Sequence, residues 1–179
     1  ASSTYVLTTP EAGKQVRVLV SYIDGQGFSE AVTTVSVTIS VGTITGTDGN
    51  DVLNGTAGDD LIKGLGGNDT INGFAGNDTL DGGEGNDLLY GGVDNDSLLG
   101  GEGDDYINAG TGISFVDGGS GNDRLDLDYS AATTAVILTY NNPTSGTISD
   151  GSTIRNVEQI VISTGSGNDS IDAREACGT

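Results

Sequence analysis

Residues 46–72 read GTDGNDVLN GTAGDDLIK GLGGNDTIN, and the same nine-residue pattern continues without insertion to Asp126, which gives nine copies. Position 6 of each copy is Asp, except in the eighth copy, where it is Ser114. Position 8 is aliphatic in every copy. A fixed period of this kind is the signature of a solenoid whose units stack on one another. The block therefore predicts a repeat architecture that determines the fold.

The repeat length predicts how the coils stack. The first six positions are rich in Gly, Asn and Asp, which accept left-handed turns, and the last three suffice for a short strand. Two copies then form one coil of 18 residues, so that residue i lies over residue i+18, at a spacing of about 4.8 Å. We expect position 8 to point inward in two ladders: Leu53, Ile71, Leu89, Ile107 and Leu125 in one sheet, and Ile62, Leu80, Leu98 and Val116 in the other.

The same spacing stacks the position-6 carboxylates in two columns. Two carboxylates about 5 Å apart repel each other by roughly 3 kcal/mol at an effective dielectric constant near 20. A hard cation between coils reverses this repulsion, and a flexible cage of about six to eight oxygens suits Ca²⁺ better than Mg²⁺. Six stacked pairs predict about six Ca²⁺ ions: Asp51/Asp69, Asp60/Asp78, Asp69/Asp87, Asp78/Asp96, Asp87/Asp105 and Asp105/Asp123.

One step of the second column breaks the pattern. Asp96 faces Ser114, Ile113 replaces the usual Asn or Asp of position 5, and Asp94 stands where the other copies have Gly. We therefore expect this site to be weak or absent. Asp169 belongs to a later copy of the motif and has no partner 18 residues further on, so it offers at most half a site.

The block matches the pattern G-G-x-G-x-D-x-U-x, where U is aliphatic, and resembles the RTX (repeats-in-toxin, haemolysin-type) calcium-binding family. The resemblance implies that each ion takes Asp side chains from successive coils and main-chain oxygens from the Gly-rich turns. The implied metal ligands are Asp51, Asp60, Asp69, Asp78, Asp87, Asp96, Asp105 and Asp123, with main-chain oxygens near Gly64, Gly66, Gly73, Gly82 and Gly91. It also implies type I secretion of an unfolded chain and folding outside the cell.

The flanking segments lack the nonapeptide. Residues 1–42 contain two strand-like alternations of apolar and polar residues, and they resemble the C-terminal half of a bacterial immunoglobulin-like or cadherin-like repeat. Residues 127–179 keep strand-like stretches around a polar turn at residues 141–143 and resume the motif near the end. We therefore expect an all-β chain: a small immunoglobulin-like half-sandwich, a right-handed parallel β-roll (β-solenoid) over residues 43–126, then wider coils leading into a second block.

Composition limits the classes of function. The chain has 26 acidic and 6 basic residues, a formal net charge of −20, no His and one Cys. This charge disfavours nucleic acids and anionic membranes as partners, and no apolar run is long enough to span a membrane. The lack of His excludes imidazole-based catalysis, so we predict a protein that is not an enzyme. An isolated acid outside the block, such as Glu158, is expected to be a solvated strand residue.

The predicted function is that of a calcium-binding structural module of a secreted bacterial surface or matrix protein: an adhesin, a surface-layer component or an extracellular filament subunit. The immunoglobulin-like half favours this class, because such repeats often occur in adhesins and surface layers. Two alternatives stay open: the non-catalytic calcium module of a secreted epimerase, protease or lipase, and the repeat region of an RTX toxin. The N-terminal strands and the roll ends are further expected to permit self-association into polymers.

Overall fold

The computed structural model describes residues 15–18, 22–23, 29–30, 35–38, 43–142 and 145–172. Every regular element in these ranges is a β-strand, so the described chain holds no helix that could cross a membrane. The strands before the roll are β1 (Gln15–Val18), β2 (Tyr22–Ile23), β3 (Ser29–Glu30) and β4 (Val35–Thr38). β1 pairs antiparallel with β4, and β2 with β3. The immunoglobulin-like half-sandwich rests largely on positions outside the described residues and stays a prediction.

Within the repeat block, beginning with β5 (Ile44–Thr45), successive strands alternate between two sheets. One sheet stacks β6 (Val52–Asn54), β8 (Thr70–Ala75), β10 (Leu88–Val93), β12 (Tyr106–Asn108), β14 (Arg124–Tyr129) and β18 (Gln159–Thr164). The other stacks β5, β7 (Leu61–Gly66), β9 (Thr79–Glu84), β11 (Ser97–Glu102), β13 (Phe115–Ser120) and β17 (Thr153–Arg155). All these neighbours pair in parallel, and within the block the register advances by 18 residues. The predicted β-solenoid of stacked coils is confirmed.

The position-8 side chains form the core of the roll, as predicted. Strand register places Leu53 over Ile71 in one sheet and Ile62 over Leu80 in the other, and both ladders continue to the end of the block. From the second copy onward these side chains are at most 2 % exposed. The ladders extend beyond the repeats, because Leu125 pairs with Ile160 and Val116 with Ile154.

The strands are longer than predicted. Most strands of the block span six residues, from position 7 through position 3 of the following copy. Left-handed backbone is confined to fewer residues than the whole Gly-rich turn: from the third copy onward it occurs at positions 2 and 4. Three of these residues are not Gly, namely Leu65 (φ 82°), Phe74 (φ 77°) and Asp94 (φ 79°).

After the block the coil widens, as predicted. The widening contains an antiparallel excursion, the strands β15 (Ile137–Asn142), β16 (Ser145–Ile148) and β17, that was not predicted. β15 pairs antiparallel with β16, and β16 pairs antiparallel with β17. β19 (Ser170–Asp172) then pairs in parallel with β15. The register between β14 and β18 advances by 35 residues, from Leu125 to Ile160, in place of the 18 residues of the repeats.

Candidate metal centre

The position-6 Asp side chains point into the roll. From Asp60 to Asp123 they are at most 4 % exposed, whereas Asp51 of the first copy is half-buried. In all six predicted pairs, the backbone N–H of the lower Asp, the one with the smaller residue number, donates to Oδ1 of the Asp one coil later, at 2.8–2.9 Å. The structure therefore brings together each pair of carboxylates that the repeat length predicted.

The second carboxylate oxygen, Oδ2, has a different environment. It is buried without a hydrogen-bond partner in Asp69, Asp78, Asp87, Asp96, Asp105 and Asp123. Among the described residues, only those of the first two copies satisfy it: the N–H and Oγ1 of Thr47 donate to Asp51, and those of Thr56 donate to Asp60, at 2.6–3.0 Å. A buried carboxylate oxygen with no donor is costly, so a bound cation or a proton would stabilise the six remaining Asp residues.

Glycine at position 1 leaves room for a carboxylate oxygen and a carbonyl oxygen to converge. A Cβ on Gly91 would lie 2.5 Å from Oδ2 of Asp96 and 2.8 Å from the main-chain oxygen of Ala109. The same two kinds of oxygen, from the Asp of the same copy and from position 1 of the next coil, border the equivalent point in the other copies. Two acceptors that face one space with no donor between them form a natural place for a hard cation.

Four of the predicted carbonyl donors occupy this arrangement. The main-chain oxygens of Gly64, Gly73, Gly82 and Gly91 lie beside the carboxylates of Asp51, Asp60, Asp69 and Asp78, respectively. Gly66 differs, because it stands at position 3, its N–H donates to Thr47 O at 3.2 Å, and the atom nearest its Cβ position is Asp48 Cα at 3.7 Å. The geometry thus favours position 1 over position 3 as the carbonyl donor.

Sequence reasoning missed the equivalent oxygens at the upper end of the roll, which belong to Gly100, Ala109, Gly118 and Asn156. The first three stand at position 1, so the repeat pattern itself would have identified them. Asn156 lies outside the repeats and carries no such signal. Among the described residues no three acidic or thiol side chains converge on one point, so a cation here depends on these main-chain oxygens as well as on the stacked pairs.

Comparison with protein families identifies the repeat block. The model described as the RTX calcium-binding nonapeptide repeat matches residues 45–80, 72–107 and 99–128. Residues 45–128 belong to the RTX calcium-binding repeat family. RTX repeats bind calcium, the RTX roll is a structural and generally non-catalytic module, and proteins that carry it are typically secreted. Neither a curated protein nor a solved structure matches the chain.

The eighth RTX copy replaces the carboxylate with a hydroxyl. The N–H of Asp96 donates to Oγ of Ser114 at 3.3 Å, and the N–H of Ser114 donates to Oγ of Ser152 at 3.1 Å. The same copy has Ala109 at position 1, where the eight others have Gly. These two replacements are compatible because Ser114 has no Oδ2 to collide with the Cβ of Ala109.

A second side-chain ladder in the RTX roll was not predicted. At position 5, Oδ1 of Asn or Asp accepts the N–H of the residue one coil later, at 2.7–3.2 Å. These bonds run in the opposite direction to those of the Asp columns. The position-5 side chains therefore join successive coils, and left-handed backbone is not the reason for their Asn and Asp.

Burial changes the acidity of the RTX carboxylates. Loss of solvation raises the pKa of Asp78, Asp87 and Asp96 to about 6 and that of Asp105 to about 7. The backbone N–H of the preceding coil offsets part of this effect, whereas neighbouring carboxylates add to it. A bound cation would compete with protons for these oxygens, because it stabilises the ionised carboxylate that burial disfavours.

Proposed function

We propose that this chain is a calcium-dependent structural module of a secreted surface or matrix protein, such as an adhesin, a surface-layer component or a filament subunit. The observation that carries the proposal is the repeated, buried and unpartnered Oδ2 of the RTX Asp residues beside a main-chain oxygen. Without a cation, the coils after the first bury Oδ2 acceptors that have no donor among the described residues. With calcium the same oxygens become ligands, so that ion binding and folding are one event.

The proposed ligands are the eight position-6 Asp residues and the position-1 main-chain oxygens, which together hold about six ions. The tightest sites are those whose two carboxylates both have an unpartnered Oδ2: Asp69/Asp87, Asp78/Asp96, Asp87/Asp105 and Asp105/Asp123. The pairs that include Asp51 and Asp60 bind more weakly, because Thr47 and Thr56 already donate to those carboxylates.

Calcium supplies enough free energy to decide whether the roll folds. A site with a dissociation constant near 0.1 mM contributes about 2 kcal/mol at a few millimolar calcium. Several such sites outweigh the carboxylate repulsion of a chain with net charge −20. A chain kept unfolded at low cytosolic calcium and folded outside the cell suits a secreted protein. The nested antiparallel strands β1 to β4 support the surface-protein class, in which β-sandwich repeats accompany calcium modules.

Circular dichroism during calcium titration tests the proposal. We expect strand signal to appear with calcium in the low millimolar range and not with magnesium at the same concentration. Asp87→Asn alters two stacked pairs and should raise the calcium midpoint several-fold, whereas Glu84→Gln removes the same charge at an exposed position and should leave it unchanged. Full strand signal in chelator, or an equal response to magnesium, would contradict the proposal.

The structural role is tested separately by molecular mass in solution. Light scattering across a hundredfold range of protein concentration, with and without millimolar calcium, should reveal calcium-dependent assembly into polymers. A compact monomer at high concentration in calcium would exclude self-association and leave calcium-dependent folding intact.

A further inference from the structure

The carboxylate column that contains Asp69 and Asp87 does not end with the RTX repeats. The N–H of Asp123 donates to Oε2 of Glu158 at 2.8 Å, as each lower Asp does to the next within the block. Strand register places Arg124 beside Gln159 and Leu125 beside Ile160, so Glu158 occupies position 6 of the coil that follows. Glu158 is exposed, as expected of a solvated residue, but it lies in a bend before β18 and accepts the N–H of Asp123. The sequence did not indicate this contact, because the 35-residue advance conceals the register of Glu158.

Asp123 directs an unsatisfied oxygen toward this coil. Its side chain is 0 % exposed, and its Oδ2 has no hydrogen-bond partner among the described residues. A Cβ on Gly118 would lie 2.6 Å from that oxygen and would overlap the main-chain oxygen of Asn156. The convergence of carboxylate and carbonyl oxygens found inside the RTX block is therefore repeated here, with Asn156 in place of a position-1 residue.

The backbone around Asn156 is fixed by several contacts. Asn156 has a left-handed conformation (φ 46°), and its Nδ2 donates to Oδ1 of Asp117 at 2.8 Å. The N–H groups of Glu158 and Gln159 both donate to the main-chain oxygen of Asp123, at 3.2 and 2.9 Å. Asn, which tolerates left-handed backbone, thus holds its carbonyl toward Gly118 while the following residues are anchored on the last RTX coil.

We propose that Asp123, Asn156 and Glu158 form an additional calcium site between the last RTX coil and the widened coil. Asp123 supplies Oδ2, Asn156 its main-chain oxygen, and Glu158 a carboxylate already positioned by the N–H of Asp123. All three donors are hard oxygens of the kind that Ca²⁺ binds. The site rests on the proposed function, since it needs the same ion, and it extends calcium binding to residues outside the repeats. Its ion would tie the antiparallel excursion to the end of the roll.

Native mass spectrometry of the calcium-loaded chain tests this site, because it counts the ions on each folded molecule even when part of a sample is unfolded. Glu158→Gln keeps an acceptor for the N–H of Asp123 and removes the charge, so we expect one calcium ion fewer than in the parent. Glu158→Asp restores the side chain of the repeats and should restore the ion. Glu102→Gln removes an exposed charge from β11 and should leave the count unchanged.

An unchanged ion count in Glu158→Gln would overturn the site, and so would an equal loss in Glu158→Asp and Glu158→Gln. Failure of the proposed function has a different result, since the parent chain itself would then bind no calcium. Circular dichroism of the variants in calcium should retain the RTX strand signal, because Glu158 belongs to none of the six repeat pairs.

Discussion

The eighth copy tests how the carboxylate columns are built, because it lacks both the Asp of position 6 and the Gly of position 1. Ser114→Asp alone would direct a carboxylate oxygen at the Cβ of Ala109. The equivalent distance is 2.5 Å for Gly91 and Asp96, well inside the closest contacts that Cβ atoms make. Overpacking of this kind costs about 1–3 kcal/mol. We therefore expect the single variant to be less stable than the parent at any calcium concentration.

In calcium, Ala109→Gly combined with Ser114→Asp should make the chain more stable than the parent, whereas Ser114→Asp alone makes it less stable. The added Gly costs about 1 kcal/mol in chain entropy. The completed carboxylate pair with Asp96 adds a site worth about 2 kcal/mol at a few millimolar calcium, for a dissociation constant near 0.1 mM. The double variant should thus gain about 1 kcal/mol of unfolding free energy in calcium, bind one further ion and depend more steeply on calcium than the parent.

Urea unfolding monitored by circular dichroism, at several fixed calcium concentrations, measures these differences, and native mass spectrometry counts the ions. Ala109→Gly alone is the matched control, and it should show the entropic loss without the additional ion. If Ser114→Asp alone gains the ion and matches the double variant in stability, the Cβ of Ala109 is no obstacle and the steric explanation is wrong.

Three further predictions concern acidity, packing and backbone strain. In chelator, the raised pKa values, with that of Asp105 at about 7, should make the roll most stable below about pH 4 and least stable above about pH 7. Acidification in chelator should therefore increase the strand signal in circular dichroism. In the presence of calcium, acidification should weaken the apparent calcium affinity. Gly82→Ala places a Cβ against Oδ2 of Asp87 and should lose about 1–3 kcal/mol in urea unfolding at saturating calcium, whereas Gly49→Ala, with 3.8 Å to its nearest neighbour, should lose much less. Phe74→Gly relieves left-handed backbone at a side chain that is 53 % exposed and should gain about 1 kcal/mol in the same assay; a loss would show that packing of the ring outweighs the strain.

Stacking and the core could be predicted from the sequence because both follow from the repeat length alone. A nine-residue period with one aliphatic position determines that Leu89 lies over Ile71 and that Asp87 lies over Asp69. Hydrogen-bond direction could not be predicted, since spacing places two side chains together without indicating which N–H each one accepts. The compensation between Ala109 and Ser114 was likewise hidden, because it depends on a distance within one copy.

Outside the repeats the sequence lacked a period, and its predictions were weaker. A polar turn was expected at residues 141–143, but Asn141 and Asn142 lie in β15, which pairs antiparallel with β16, and residue 143 lies outside the described residues. The pair of strands β15 and β16 joins the sheet because β16 pairs with β17. No local sequence pattern indicates this long-range pairing. Glu158 shows the same limit, because its equivalence to Asp appears only when the register of β14 against β18 is known.

The opposed directions of the two ladders give each coil two chemically different faces. The lower face of a coil, toward the preceding coil, offers Oδ1 acceptors at position 6 and N–H donors at position 5. The upper face, toward the following coil, offers N–H donors at position 6 and Oδ1 acceptors at position 5, so the two faces are complementary. The upper face of the last RTX coil is capped, because Glu158 accepts the N–H of Asp123 and Ser152 accepts that of Ser114. These two residues thus let the widened coil, although it has no nonapeptide, continue the position-6 contacts of the last RTX coil.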